Sequence, residues 1–425
     1  MQHGAGVSRG WVVTLAALGI NLVLGVLYAW SVMGKALALE WGWSKTQTAL
    51  PFTVATAAFA LMMIFAGRLQ DRIGPRIVTT LGGLILGAGL TASAFVRTPA
   101  AMVLTFGIIG GIGIGLGYSA TTPPAIKWFP PARKGLITGL VVSGVGIAAV
   151  YISPLTQYLL KAHGIATTFL TLGLGAAVLV AGLSQLVSNP PPGYQPSNGN
   201  SGVPNGDWAS ADAIAHPNLD WHQMLRTPQF YQLWVMFVLG ASAGLMIIAH
   251  VAMIAAEQAR WAWGFVPVAT LAVFNTVGRI LGGALSDRMG RTQTMILAYG
   301  LQALNMFLFA KYTTPALLIF GSAFTGLCYG TIFTLMPAAT ADFYGVKNLG
   351  VNYGTLFTAF GVAGMMGPVL GGTIRDASGS WSYSFVASGV LLLAGAALAA
   401  TIRPPARAPI ASRVELAPAA SKVSE

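Results

Sequence analysis

Long apolar segments alternate with short polar ones along almost the whole chain. A helix needs about 20 apolar residues to cross the hydrocarbon core of a membrane, and the sequence repeatedly offers runs of this kind. The polar residues between the runs are too few to form separate folded domains. The pattern predicts an all-α membrane protein with twelve spanning helices, over residues 11–33, 47–66, 77–96, 100–125, 136–160, 166–188, 229–254, 263–285, 292–312, 315–340, 350–374 and 381–402.

The twelve predicted helices fall into two groups of six. The segment between the groups begins with an Asn-Pro-Pro-Pro-Gly sequence and continues rich in Asn, Ser, Gly and Pro. Such a composition cannot bury enough apolar surface to fold alone. The sequence therefore predicts a six-helix bundle over residues 1–188, a linker over 189–228 with a short helix near 219–225, a second six-helix bundle over 229–402 and a tail over 403–425.

The composition supports a membrane protein and weakens other classes. Only 8% of the residues are charged, 55% are hydrophobic and the mean hydropathy is +0.69, whereas soluble domains carry about 25% charged residues. The net charge of +12 does not indicate a nucleic-acid partner, because the basic residues are not gathered on one face. Cys328 is the only cysteine, which excludes an intramolecular disulfide. No metal site or cofactor is predicted.

The distribution of basic residues predicts the orientation. Lys and Arg near helix ends are retained on the cytoplasmic side of a membrane. Of the 23 Lys and Arg residues, 15 lie at the termini, in the linker or in loops that follow even-numbered helices, and seven lie on the opposite side. Both termini are therefore expected in the cytoplasm. The first apolar run is too long for the core of a signal peptide and is expected to remain as the first helix.

The two halves of the sequence repeat each other. Residues 67–74 (GRLQDRIG) recur as residues 283–290 (GALSDRMG), and Tyr118 in predicted helix 4 corresponds to Tyr329 in predicted helix 10. Each copy contains six helices, an even number, so both copies enter the membrane from the same side. Parallel repeats of this kind are typical of transporters that alternate access to a site between the halves.

The repeated loop predicts a cytoplasmic latch formed by Asp71, Arg72, Asp287 and Arg288. Charges at helix ends can hold neighbouring helices together in one conformational state through ion pairs and contacts with helix dipoles. For either copy alone, ordinary cytoplasmic loop charges would be an equally good interpretation. The recurrence of the pair at matched positions favours the latch.

The same loop pattern, Gly-x-Leu-x-Asp-Arg-x-Gly, resembles the loop signature of the major facilitator superfamily. Residues 25–31 (GVLYAWS), 227–231 (TPQFY), 239–246 (LGASAGLM) and 274–279 (FNTVGR) resemble the oxalate/formate antiporter family, which includes bacterial relatives of the animal monocarboxylate transporters. The resemblance covers all but the termini and linker and is strongest to bacterial proton-coupled lactate transporters. It implies the major facilitator fold, small carboxylates and protons as transported partners, a bacterial inner membrane and a functional monomer.

Arg279 is the central candidate residue, because every other charged residue lies in a predicted loop or near a predicted helix end. A charge at the centre of a spanning helix costs about 2.5 to 3.5 kcal/mol, whereas a guanidinium can bind a carboxylate through two charge-assisted hydrogen bonds. The resemblance implies that this arginine binds the substrate carboxylate. An arginine that reaches the cytoplasmic surface or bonds backbone carbonyls is the alternative.

Asn275 lies one turn before Arg279 and so on the same helix face. It could bond the substrate, the guanidinium or a neighbouring helix. The resembled animal transporters have an aspartate here that is implicated in proton coupling, a role that asparagine cannot take because it does not titrate.

Four aromatic residues complete the predicted substrate site. Tyr118, Tyr329 and Tyr28 could each offer a hydroxyl group, although tyrosine is also common at membrane interfaces. Phe360 stands where the resembled oxalate exchangers have a lysine. One cation opposite an apolar wall suits a monocarboxylate such as lactate, pyruvate or propionate. In the alternative, Phe360 packs in the core and another group completes a site for dianions.

Two titratable residues could carry a proton, His250 in predicted helix 7 and Glu257 beyond its outer end. A structural role is the alternative for both.

The leading hypothesis is proton symport with a small monocarboxylate, and carboxylate exchange without protons is the second. No sequence motif supports a membrane enzyme or receptor. A channel is the remaining alternative interpretation.

Overall fold

The computed structural model describes residues 3–194, 196, 218–261 and 263–405, and every regular element within these ranges is helical. Twelve long helices, α1 to α12, follow one another. In the first half, α1 comprises His3–Leu24, a 3-10 segment Gly25–Ala29 and Trp30–Trp41; α2 is Lys45–Ile73; α3 is Pro75–Ser93; α4 comprises Pro99–Met102, a π-helical segment Val103–Gly110 and Gly111–Ser119; α5 and α6 share Lys134–Ser184. In the second half, α7 is Pro228–Gln258, α8 Phe265–Met289, α9 Arg291–Phe309, α10 Pro315–Tyr344, α11 Leu349–Ser378 and α12 Trp381–Thr401.

The predicted twelve-helix fold is confirmed, although only ten described segments meet both the length and the apolarity needed to cross a membrane. One of the ten contains two helices, because Gly164 has φ 74° and separates α5 (residues 134–163) from α6 (residues 165–184). Helix α9 is 19 residues long but is less apolar. Its buried Asn305 donates hydrogen bonds to the Gln302 Oε1 atom and to the Gly321 carbonyl of α10, so the amide of Asn305 is satisfied inside the bundle.

Several helices extend beyond the predicted apolar spans. Helix α1 continues eight residues past its predicted end, so that Lys35 lies within the helix rather than in a loop. The predicted spans follow hydropathy, whereas local backbone chemistry sets the actual ends. Gly42 ends α1 in the left-handed conformation, and Ser44 forms a capping box with Gln47 at the start of α2.

Each half is a bundle, and the two bundles meet along two pairs of helices. In the first half α1 packs against α5, and α2 and α3 pack against α4; in the second half α8 packs against α10, α7 against α11 and α9 against α12. The most extensive contacts between the halves are those of α5 with α8 and of α2 with α11, and α5 also contacts α10. The internal repeat relates these two pairs, since α2 corresponds to α8 and α5 to α11.

Repeated glycines bring the two halves into backbone contact at one end of the molecule. We call this end, where α2 and α8 terminate, the base, and the opposite end the mouth. A Cβ atom added to Gly67 would lie 2.1 Å from the Gly350 carbonyl oxygen, and one added to Gly283 would lie 2.1 Å from the Gly135 carbonyl oxygen. Any side chain at either position would force the halves apart.

The spacing between α2 and α11 increases from the base towards the mouth. A Cβ atom on Gly354 would lie 2.2 Å from the Met63 carbonyl oxygen, and one on Gly361 would lie 3.3 Å from the Ala60 side chain. One on Gly364 would meet no described atom within 4 Å. The α2–α11 interface is therefore closed at the base and opens towards the mouth.

The short helix predicted in the linker is present at Trp221–Leu225. Part of the predicted linker lies outside the described ranges, namely residues 195 and 197–217. So do residues 406–425, which make up most of the predicted tail.

Candidate functional site

Arg279 lies on α8 at the interface between the halves and is 2% exposed. Its Nε donates a hydrogen bond to the Asn275 Oδ1 atom at 3.1 Å, and its Nη1 donates one to the Val142 carbonyl oxygen of α5. Its guanidinium carbon lies 5.0 Å from the centroid of the Phe333 ring of α10. Among the described residues no carboxylate forms an ion pair with Arg279. Within the ranges that the structure describes, dipoles and an aromatic face offset the positive charge.

Local packing fixes the position of Arg279 along α8. Thr334 of α10 donates a hydrogen bond to the Arg279 carbonyl oxygen at 2.9 Å, and Thr331 donates one to the Gly278 carbonyl oxygen at 3.1 Å. Gly139 of α5 approaches from the other half, and a Cβ atom there would lie 2.2 Å from the Arg279 carbonyl oxygen. Two neighbouring helices thus hold the backbone of this residue, one from each half.

A cluster of eight aromatic rings lies beside the guanidinium, which contacts one of them, Phe333. Phe333 lies 4.9 Å from Tyr329 and 5.1 Å from Phe360, and Phe357 lies 5.1 Å from Phe59 and 5.7 Å from Tyr118, all between ring centroids. Both halves contribute. We refer to the following residues as the aromatic cluster: Phe59 and Tyr118 from the first half, and Phe237, Tyr329, Phe333, Tyr353, Phe357 and Phe360 from the second.

The structure brings together most of the residues predicted for the substrate site. Arg279 and Asn275 are bonded to each other, and Tyr118, Tyr329 and Phe360 belong to the aromatic cluster next to them. Tyr28 of α1 lies within electrostatic range of both Tyr118 and Tyr329.

Six contributors were not predicted from the sequence, namely the Val142 carbonyl group and the rings of Phe59, Phe237, Phe333, Tyr353 and Phe357. Phe333, Tyr353 and Phe357 follow helical spacing from Tyr329 and Phe360, and this is the one signal that could have indicated them.

The arrangement suits a small anion with one negative charge. Hydrogen bonds to protein occupy Nε and Nη1 of Arg279, and within the described chain Nη2 donates none. A carboxylate could therefore accept a charge-assisted hydrogen bond from Nη2, and it could accept a second one from Nη1 in place of the Val142 carbonyl oxygen. The surrounding rings would contact an apolar body of a few carbon atoms and would exclude a second charge.

His250 and Glu257 lie apart from this site, in the mouth half of α7. The Nε2 atom of His250 is 3.0 Å from the Pro368 carbonyl oxygen of α11, and its ring lies 4.9 Å from that of Trp381 in α12. Glu257 accepts hydrogen bonds from Arg375 at 2.8 Å and from the Trp381 ring nitrogen at 2.9 Å. These contacts join α7, α11 and α12, so they tie the second half together rather than bridging the two halves.

Asp287 anchors one inter-half contact at the base. Its two carboxylate oxygens accept hydrogen bonds from the backbone N–H groups of Gly135 and Leu136 in α5, both at 2.8 Å. Arg291 bridges Asp287 at 2.7 Å and Asp342 of α10 at 2.8 Å, and Lys134 lies 3.6 Å from Asp342. The network contains residues of both halves.

Asp71 makes the repeat-related contact on the other side of the base. It accepts a hydrogen bond from the Val351 backbone N–H of α11 at 3.1 Å, and Lys127 is close enough to interact with it electrostatically. Arg72 and Arg288, which the sequence assigned to the latch, are exposed and form no ion pair in the part of the chain described. The cations at these contacts are instead Lys127, Lys134 and Arg291.

A recess of about 330 Å³ opens at the mouth between α1 and α2, lined by Trp30, Gly34, Lys35, Thr48, Ala49, Phe52 and Thr53. It contains neither Arg279 nor any ring of the aromatic cluster. The described residues contain no group of three or more His, Cys, Asp or Glu residues placed to hold a metal ion.

This chain is similar to known transporters in its sequence and in its fold. The family model described as Major Facilitator Superfamily matches residues 10–310 and 266–424. The oxalate:formate antiporter of Oxalobacter formigenes is 27% identical over 418 residues, covering 97% of this chain and 95% of the antiporter. Monocarboxylate transporter 13 of Rattus norvegicus is 24% identical over 404 residues, covering 92% and 89%. The crystal structure of the transporter FucP in its outward conformation superimposes with a TM-score of 0.67 at 17% identity, covering 91% and 97%.

Proposed function

Because this chain belongs to the Major Facilitator Superfamily and is a multi-pass membrane transporter with relatives that carry carboxylates, we propose that it transports small monocarboxylates such as L-lactate, pyruvate or propionate together with a proton. The observation that carries the proposal is the buried guanidinium of Arg279, which lies between the halves without a carboxylate partner in the described chain. A monocarboxylate would neutralise it, and the aromatic cluster would enclose the apolar part of the anion.

We place the base in the cytoplasm, where the excess of basic residues is retained. In this orientation both termini are cytoplasmic, the close contacts at Gly67 and Gly283 shut the cytoplasmic side, and the mouth faces outward. The two bundles, over residues 1–188 and 229–402, would rock about Arg279 to alternate access. We propose a bacterial inner membrane as the location and a single chain as the functional unit.

We propose that Asp71 and Asp287 form the latch that holds the base closed. Replacing Asp287 with asparagine should weaken the bonds to Gly135 and Leu136 and break the ion pair with Arg291, costing about 2 to 3 kcal/mol. The melting temperature of the purified protein should fall. The matched variant Asp71→Asn should lower it less, because Asp71 has no ion pair within 4.0 Å in the described chain. Equal melting temperatures for the wild type and Asp287→Asn would refute the latch.

Uptake into proteoliposomes with and without an inward proton gradient tests the proposed symport. Lactate should accumulate above its outside concentration only when the gradient is present, because a neutral proton–anion pair moves with the gradient. Accumulation that is indifferent to the gradient would rule out symport while leaving carboxylate transport intact.

His250 and Glu257 remain the proposed proton carriers. If one of them carries the proton, His250→Gln or Glu257→Gln should abolish gradient-driven accumulation of lactate while preserving counterflow exchange. Asp376→Asn is the control, because Asp376 also contacts Arg375 but its side chain is 77% exposed. Coupling that persists in both test variants would exclude the two residues.

Carboxylate exchange without protons is the second candidate function. The favouring observation is that Asn275, the residue bonded to Arg279, cannot titrate, and that no described acid contacts the guanidinium. Under this mechanism counterflow would be rapid, and the proton gradient would change neither its rate nor its extent.

A further inference from the structure

Tyr353 of α11 carries a buried polar group that the proposed mechanism has not used. The residue is 3% exposed, and its hydroxyl oxygen has no hydrogen-bond partner of standard geometry in the described chain. Buried hydroxyl groups are nearly always satisfied, because leaving one without a partner forfeits its bonds to water. An unsatisfied group beside a substrate site indicates a partner that arrives with the substrate.

The Tyr353 hydroxyl lies beside the proposed substrate site. The Tyr353 ring lies 5.6 Å from that of Phe357, inside the aromatic cluster. Its hydroxyl neighbours that of Tyr118, which comes from α4 of the other half, and both lie within electrostatic range of Arg279. The two hydroxyl groups therefore approach the guanidinium from opposite halves.

We propose that Tyr353, together with Tyr118, binds the oxygen on carbon 2 of a 2-hydroxy or 2-oxo monocarboxylate. The inference rests on the proposed function, since it takes Arg279 as the carboxylate partner. The carbon-2 oxygen is separated from the carboxylate oxygens by only two carbon atoms, so one small cluster can contact all of them. A phenol hydroxyl both donates and accepts hydrogen bonds, and it can pair with the hydroxyl of lactate or the keto oxygen of pyruvate. Propionate offers no such oxygen.

The structural alternative is a Tyr353 hydroxyl that merely holds a water molecule. The two interpretations differ in ligand selectivity. A residue that binds the carbon-2 oxygen contributes to lactate binding but not to propionate binding. A water-holding or packing residue changes the binding of both ligands by similar factors or of neither.

The test compares binding of L-lactate and propionate to the purified wild type and to Tyr353→Phe. The variant should lose about tenfold in L-lactate affinity with less than a twofold change for propionate. Its melting temperature without ligand should change little, because the hydroxyl has no hydrogen-bond partner of standard geometry in the described chain. Tyr118→Phe should shift selectivity in the same direction.

Tyr299→Phe is the matched control. Tyr299 is also fully buried, but its hydroxyl donates a hydrogen bond to the Met236 carbonyl oxygen at 2.5 Å, away from the cluster. This variant should melt at a lower temperature and keep the lactate-to-propionate ratio of the wild type. An unchanged ratio in Tyr353→Phe overturns the inference. Binding by Arg279→Ala distinguishes a failure of this inference from a failure of the proposed function. If Arg279→Ala binds neither ligand, the proposed function stands even when the Tyr353→Phe ratio is unchanged. If Arg279→Ala binds both ligands as the wild type does, the proposed function itself fails.

Discussion

Replacing Arg279 with alanine is expected to lower the affinity for L-lactate by about 100-fold or more. Each hydrogen bond between a charged donor and a carboxylate contributes about 1.5 to 3 kcal/mol, and the variant loses the donors of the guanidinium and its charge together. The apolar walls of the aromatic cluster would then face an anion with no cation to offset it. Equilibrium binding to the purified protein measures the change directly, without depending on the transport cycle.

Two companion variants make the Arg279 result specific. Arg279→Lys keeps the charge but loses the planar fork, so it should bind lactate with an affinity between those of the wild type and the alanine variant. Arg97→Ala removes an exposed cation in the loop between α3 and α4 and should bind lactate as the wild type does. Lactate binding by Arg279→Ala at wild-type affinity would exclude this residue as the carboxylate partner.

Replacing Phe360 with lysine is expected to shift the preference from monocarboxylates towards dicarboxylates. Phe360 and the Arg279 guanidinium both contact the Phe333 ring. The centroids of Phe360 and Phe333 are 5.1 Å apart, and the guanidinium carbon of Arg279 lies 5.0 Å from the Phe333 centroid. A lysine would therefore place a second cation one ring away from the first. Oxalate affinity should rise by about tenfold or more, since a second charge-assisted contact contributes at least about 1.5 kcal/mol.

Phe360→Met separates the effect of charge from that of shape in this experiment. Methionine is long, flexible and neutral, so it opens the aromatic cluster about as much as lysine does without adding a cation. Oxalate should bind Phe360→Lys more tightly than Phe360→Met, and lactate should not gain in the same proportion. Equal oxalate binding by the two variants would show that Phe360 does not set the charge preference.

The sequence was sufficient for the fold because its repeat reflects physical contacts. The glycines that recur between the two copies are those at which the halves touch, for example Gly67 against Gly350 and Gly283 against Gly135. The ends of the helices were less predictable. Hydropathy locates the apolar part of a span, but α2 continues to Gly74, whose φ of 91° ends it.

The candidate site could be predicted only in part. Arg279 is conspicuous in the sequence because it is a charge within an apolar run. The Val142 carbonyl that receives its Nη1 could not be predicted, since every residue carries a carbonyl group and only the crossing of α5 and α8 selects this one. Tyr353 and Phe333 follow helical spacing from Phe360 and Tyr329, but this spacing alone does not distinguish a site residue from the many aromatic residues that only pack in spanning helices. The cations of the latch were also missed, because Arg291 contacts Asp287 only through the turn between α8 and α9.

The absence of an acid beside Arg279 in the described chain makes the charge of the cargo decisive for the response to voltage. An unneutralised charge inside the bilayer responds to the transmembrane voltage with up to about 2.3 kcal/mol per 100 mV, in proportion to the fraction of the field that it traverses. A bound monoanion cancels the charge of Arg279, and the proton that travels with it in symport restores one positive charge. The empty and the loaded carrier would then have equal net charge, so that voltage acts alike on both halves of the cycle and the complete cycle is electroneutral. A monoanion that crossed without its proton would leave only the empty carrier sensitive to voltage and would make the cycle electrogenic.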